Sequence, residues 1–126
     1  MGRQHDRAPF SFRRLRGRAQ SGHSERLVGA LGYVMATQDP IRVAEETAIL
    51  DHITKGRYFV GFARGYQSRW TNTLGQFTET RATLSDGGAD DERNREIFEE
   101  RVNMVLQCWQ QDSVRLDGKY YQAPFP

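Results

Sequence analysis

The chain has 126 residues, with 18 Lys and Arg against 16 Asp and Glu and a net charge of +2. That length holds one domain, and so small a charge does not mark the whole chain as a nucleic-acid binder. The single cysteine, Cys108, excludes an internal disulfide and agrees with a reducing, cytoplasmic setting, and no apolar run is long enough to span a membrane.

Residues 1–24 read as a basic arm. Arg3, Arg7, Arg13, Arg14, Arg16 and Arg18 cluster there with Gly2, Gly17 and Gly22, and no hydrophobic period repeats. Such a composition predicts a disordered or poorly packed segment. Contact with nucleic-acid phosphates, contact with an anionic membrane and a transit-peptide role compete with that reading, as does a stretch foreign to the domain that follows. Residues 25–126 are expected to form the folded domain.

Leu27 to Ala36 is an apolar run containing Gly29 and Gly32. It predicts a strand in which something approaches the backbone closely. Thr37 and Gln38 close the run. Asp39 is a good N-cap, and Pro40 suits the first helical position, where a missing N–H costs nothing. Ile41, Ala44, Ala48 and Ile49 recur at helical spacing, with Val43 and Leu50 widening the stripe. Lys55-Gly56 ends the helix with a cation and a residue tolerant of left-handed backbone. Tyr58 to Ala63 then forms a second, nearly all-apolar strand. Two such strands joined through a helix require a parallel crossover. His52 stands without a second ligand at metal-binding spacing, so no metal site is expected.

Polar groups stand at the ends of both strands. Arg64 follows the second strand, and its planar, permanently charged fork suits a phosphate. Gly65 lets a ligand approach the backbone, and Tyr66 follows it. The alternative for Arg64 is an ion pair with a carboxylate from a neighbouring loop. Thr37 and Gln38 would hydrogen-bond a ligand or cap the next helix. Gln67 to Gly88 reads as one long connection, since Trp70, Leu74 and Phe77 are too sparse for a core element. Trp70 would roof an apolar substrate site or pin the loop.

Ser85-Asp86-Gly87-Gly88 predicts a turn, and Asp90-Asp91-Glu92 opens the last helix with favourable negative charge. Ile97, Phe98, Val102, Val105, Leu106 and Trp109 form its apolar face. Glu92, Arg93, Arg95, Glu96, Glu99, Glu100 and Arg101 form a solvated face, and Cys108 is a packed thiol. The helix should end near Gln111, with a short hairpin over Asp112–Tyr121 turning at Asp117-Gly118. Phosphate-loop, dinucleotide-fingerprint, zinc-protease and paired-cysteine motifs are missing, and no catalytic residue is identified.

Gly29, Asp39-Pro40, Arg42, Ala44-Glu45-Glu46, Leu50-Asp51, Gly56-Arg57, Gly61 and Arg64-Gly65 together give the chain a family likeness. It resembles the luciferase-like monooxygenases, flavin-dependent enzymes on a TIM-barrel scaffold. The resemblance implies an α/β fold, a fragment of a (β/α)8 barrel carrying its third strand, third helix and fourth strand. A whole barrel takes about 250 residues. It implies FMN as cofactor, with reduced FMN and O2 acting on a small organic substrate. A separate flavin reductase and a homo- or heterodimer belong to the same picture. By position, Arg64, Gly65 and Tyr66 would contact the flavin phosphate region. A non-prolyl cis peptide between Leu31 and Gly32 would support the ring, and Thr37 and Gln38 would line it. Asp39 stands where several members carry histidine, and Ala63 where the luciferases proper carry cysteine. An F420-dependent hydride-transfer enzyme on the same scaffold is the alternative, and an inactive piece or basic-armed binding module is another.

Overall fold

The computed structural model describes residues 26–65, 67–82 and 87–124. The arm over 1–24, Tyr66, and Ser85-Asp86 of the predicted turn lie outside the described residues. Strand β1 (Val28–Val34) leads into a 3-10 turn (Met35–Thr37), helix α1 (Pro40–Ile53) and strand β2 (Tyr58–Ala63). The two strands pair in parallel, from Val28 opposite Tyr58 to Val34 opposite Ala63. The expected βαβ unit is therefore present, a mixed α/β arrangement around a short parallel sheet.

β1 is shorter than its apolar run. Met35 and Ala36 leave the ladder for the 3-10 turn, where both are completely buried. Between Leu31 and Tyr33 the register shifts by one residue, and Gly32 at the shift has φ 114°. This is a bulge, and glycine supplies the backbone angle it needs. The Leu31–Gly32 peptide is not cis; among the described residues the cis bond is Ala123–Pro124. The bulge has a clear effect on facing. Without it Gly32 would sit opposite Phe62; with it Tyr33 does. Tyr33 and Phe62 then both pack on the helical layer. Leu31 is on the opposite, open face of the sheet, 90% exposed.

α1 is capped as its sequence predicts: Asp39 Oδ1 accepts Arg42 N–H at 3.0 Å and Pro40 opens the helix. Its end closes through Lys55 (φ 56°) and Gly56 (φ 78°), both left-handed. The buried face differs from the expected stripe. Pro40, Val43, Ala44 and Thr47 are buried, whereas Ile49 is 58% exposed. Thr47 tolerates burial because its hydroxyl donates to Val43 O at 2.6 Å, within its own helix.

The connection after β2 is not a plain loop. Helix α2 (Ser68–Leu74) and a 3-10 turn (Gly75–Phe77) occupy it. Their buried positions are Thr71 and Gly75, polar and small, so no hydrophobic period marks them. Helix α3 (Ala89–Gln110) follows, with Asp90, Asp91 and Glu92 in its first turn. Met35, Val43, Ala44 and Val105 form the core, flanked by Phe62, Phe98, Cys108 and Trp109. Trp109 Nε1 donates to Ala44 O at 3.2 Å, joining α3 to α1. A cavity of about 410 Å³ lies beside this contact, between α1, β2 and the end of α3. Cys108 lines it, half-buried, and burial pushes its thiol up from the ordinary range.

The solvated face drawn for α3 needs two corrections. Arg101 is buried, at 6% exposure. Glu100 is half-buried and accepts the main-chain N–H groups of Lys119 (2.6 Å) and Tyr120 (3.0 Å). Those bonds reshape the hairpin. Strands β3 (Leu116–Asp117) and β4 (Gln122–Ala123) pair antiparallel around a four-residue loop, Gly118 to Tyr121, in place of a tight turn at Asp117-Gly118. The carboxylate on α3 prevails over the local turn preference. A β-carbon on Gly118 would fall 2.4 Å from Glu100 Cδ, so a larger residue there would push the carboxylate aside.

Candidate functional site at the carboxyl ends of the strands

Parallel pairing puts the carboxyl ends of β1 and β2 side by side, with Val34 opposite Ala63. The segment 35–39 leaves one strand and Arg64-Gly65 leaves the other. α2 packs over the same end, since Gly65 lies close to Thr71 Oγ1.

Arg64 is 30% exposed at this rim, and its Nη1 lies 3.2 Å from Asp91 Oδ1. The alternative weighed for Arg64, a carboxylate partner, is thus realised by the first turn of α3. Asp91 Oδ2 accepts Gly87 N–H at 3.2 Å, tying the preceding loop to the same pair. Gly65 is left-handed, with φ 84°. A β-carbon there would come 2.3 Å from Val34 Cγ1, so the glycine admits a close approach between the two strand ends. Thr71 Oγ1 is buried beside it and has no hydrogen-bond partner among the described residues.

The side chains expected to meet a flavin ring sit at this end or lead to it. Thr37 Oγ1 donates to Val34 O at 2.8 Å, closing its own turn. Gln38 is half-buried, and its main-chain carbonyl accepts Arg101 Nη1 at 2.5 Å. Leu31 and Gly32 lie further down β1, on the open face and in the bulge. Trp70 is 49% exposed on α2. Tyr66 falls outside the described residues.

Sequence reasoning missed Arg101. From α3 its Nη1 reaches Met35 O and Ala36 O, each at 3.4 Å, as well as Gln38 O. Its guanidinium lies 6.0 Å from the centre of the Tyr121 ring. Tyr121 in turn donates its hydroxyl to Asp39 Oδ2 at 2.9 Å. On the other side, Thr78 Oγ1 donates to Ala36 O at 2.8 Å. Burial lowers the proton affinity of the Arg101 guanidinium, and Asp39 acts against that. Alternation of charge along α3 gives no hint of this, because the partners are carbonyls more than sixty residues away.

Among the described residues no group of three His, Cys, Asp or Glu side chains is arranged to hold a metal ion. No described helix is long and apolar enough to cross a membrane.

A parallel βαβ unit with Arg64 and the left-handed Gly65 directly after its second strand defines a mixed α/β domain. Residues 20–126 match the sequence profile of the luciferase-like monooxygenases, and the chain belongs to that family. It is 40% identical over 97 residues to the alkanal monooxygenase beta chain of Photorhabdus luminescens, covering 77% of this chain and 26% of that one. It is 28% identical over 97 residues to the alkanal monooxygenase alpha chain of Aliivibrio fischeri, covering 77% and 24%. The 3,6-diketocamphane 1,6-monooxygenase of Pseudomonas putida is 22% identical over 96 residues, covering 76% and 25%. The chain therefore spans about a quarter of the length of these relatives. No solved structure matches it.

Proposed function

We propose that this chain carries part of the flavin site of a monooxygenase built on a (β/α)8 barrel, with FMN as cofactor and O2 and a small organic molecule as reactants. The observation that carries the reading is the position of Arg64 and Gly65, directly after β2 at the carboxyl rim, in a chain of this family. Arg64 would hold the phosphate. Its guanidinium has five N–H donors, so a phosphate would share or displace the Asp91 pairing. The left-handed Gly65 would present main chain to the same group, and Tyr66 would extend that contact. Thr37 and Gln38 would border the ring at the end of β1, with Leu31 and Gly32 beneath it, and Trp70 would border the substrate. When bound, FMN supplies the redox chemistry; the residues named here bind it, orient it and keep water out. Delivery of reduced flavin by a separate reductase, and a dimeric assembly, belong to the same proposal.

Titration of the protein with FMN, riboflavin and F420, followed by fluorescence, tests this reading. FMN should bind more tightly than riboflavin, and Arg64→Ala should bring the two together. F420 binding without FMN binding would replace the cofactor assignment, and no binding of any of the three would overturn it.

A further inference from the structure

Arg101 is the most buried cation among the described residues, and no carboxylate forms a salt bridge with it there. A buried charge costs several kcal/mol unless hydrogen bonds replace its hydration. Here the replacement comes from three main-chain carbonyls, of Met35, Ala36 and Gln38, all converging on Nη1. Nε contributes nothing to this, being buried and without a partner among the described residues. A side chain selected only to fill the α1–α3 interface would be apolar, as Val105 and Met104 are on the same helix. An arginine in this place has a different effect. It fixes the path of the main chain between β1 and α1, where hydrophobic contact fixes only the separation of layers.

The segment it grips is the one that carries Thr37 and Gln38 to the rim. Thr78 holds Ala36 O from the opposite side. Tyr121 stands under the guanidinium and ends on Asp39, the last residue of the segment. The chain from Met35 to Asp39 is thereby bound from α3, from the turn after α2 and from the hairpin. β1 itself offers it no ladder bonds there, because the strand ends at Val34.

We propose that Arg101 is a positioning residue for the flavin ring: through the carbonyls of Met35, Ala36 and Gln38 it sets the conformation of the rim segment that would meet the ring, while Arg64 acts on the phosphate. The proposal rests on the flavin reading above. It makes the two arginines separable by ligand. Loss of Arg64 weakens only the phosphate-bearing flavin. Loss of Arg101 weakens FMN and riboflavin alike, because both present the same ring.

The test compares the wild-type protein with Arg101→Met, Arg101→Lys and Arg64→Ala. Amide hydrogen exchange reads the segment 35–39, and fluorescence titration reads FMN and riboflavin affinity. Methionine keeps length and apolar bulk without charge or donors. Arg101→Met should speed exchange in 35–39 selectively and weaken both flavins by about tenfold, the size of a lost charge-assisted hydrogen bond. Arg101→Lys, which keeps the charge and can still reach the carbonyls, should recover part of both effects. Should Arg101→Met fail to fold, Arg101→Lys carries the test, and wild-type exchange and affinity in that variant would overturn the proposal. So would faster exchange spread evenly over the chain, or a loss confined to FMN. A wild-type protein that binds neither flavin overturns the flavin reading and the ligand half of this proposal, while the exchange data still decide whether Arg101 holds the segment.

Discussion

Arg64 Nη1 lies 3.2 Å from Asp91 Oδ1, so the first cation after β2 meets a carboxylate in the first turn of α3. A phosphate at Arg64 would meet that negative charge as well. Asp91→Asn removes the charge and keeps an acceptor for Gly87 N–H. FMN affinity should rise several-fold in this variant, roughly the effect of relieving one partly screened like-charge contact, with riboflavin affinity unchanged. Stability should fall by about 0.5–1 kcal/mol, since an acid at a helix N-terminus and one ion pair are lost. Paired flavin titrations and a urea curve measure both. An FMN affinity that does not move would separate Arg64 from the phosphate.

Gly65 and Gly87 are both left-handed, at φ 84° and φ 74°, but their surroundings differ. A β-carbon on Gly65 would lie 2.3 Å from Val34 Cγ1, whereas one on Gly87 would meet nothing within 4 Å. Gly87→Ala should cost about 1–2 kcal/mol from backbone conformation alone. Gly65→Ala adds overpacking to the same backbone term, for a total of about 2–4 kcal/mol. Denaturation midpoints of the two variants provide the comparison. Equal losses would mean that the strand ends separate freely, and that Val34 does not constrain the rim.

What the sequence discloses and what it conceals divide along physical lines. The βαβ unit is legible because its signals are local: an Asp39-Pro40 start, a Lys55-Gly56 stop and two apolar runs. Arg64 is legible as a rim residue because it directly follows a strand. Arg101 is concealed, because a cation among glutamates looks solvated and its partners are carbonyls, which every residue has. α2 and the 3-10 turn after it are concealed because Thr71 and Gly75 fill their buried positions. Gly32 shows that close packing or unusual backbone is needed, but a bulge and a cis peptide make the same demand on composition. The hairpin is found but misplaced, since Glu100 captures the N–H groups of Lys119 and Tyr120 from another element.

Two tyrosines make the fold sensitive to alkali. Burial, together with the Tyr58 hydroxyl 3.3 Å away, pushes Tyr33 up to about 12 from an ordinary 10.0. Burial, together with Asp39, does the same to Tyr121. Each is raised in the folded state, so the folded form holds its phenolic proton more tightly than the unfolded chain. Their contribution is complete below pH 10 and is lost as pH rises through about 12. Stability should therefore stay level with respect to these groups through neutral pH and decline above pH 10. Tyr33→Phe with Tyr121→Phe should flatten that decline, as read by denaturant midpoints across an alkaline pH series. An unchanged alkaline slope in the double variant would show that both rings reach solvent.

Asp39 performs two tasks with its two oxygens. Oδ1 caps α1 through Arg42 N–H at 3.0 Å, and Oδ2 accepts the Tyr121 hydroxyl at 2.9 Å. Asp39→Ala removes both and should cost about 1.5–2.5 kcal/mol, a cap plus a hydrogen bond to a charged group. Asp39→Asn retains an acceptor for the cap and should recover most of that loss. Tyr121→Phe removes only the second bond and should cost about 1 kcal/mol. The three values fix a fourth. With Asp39→Ala already made, adding Tyr121→Phe should cost little, because the hydroxyl no longer has that partner. A double-mutant cycle on guanidinium curves measures the coupling directly. Strict additivity would mean that the hairpin does not reach Asp39 in solution, and that Arg101 and Thr78 alone hold the rim segment from outside α1.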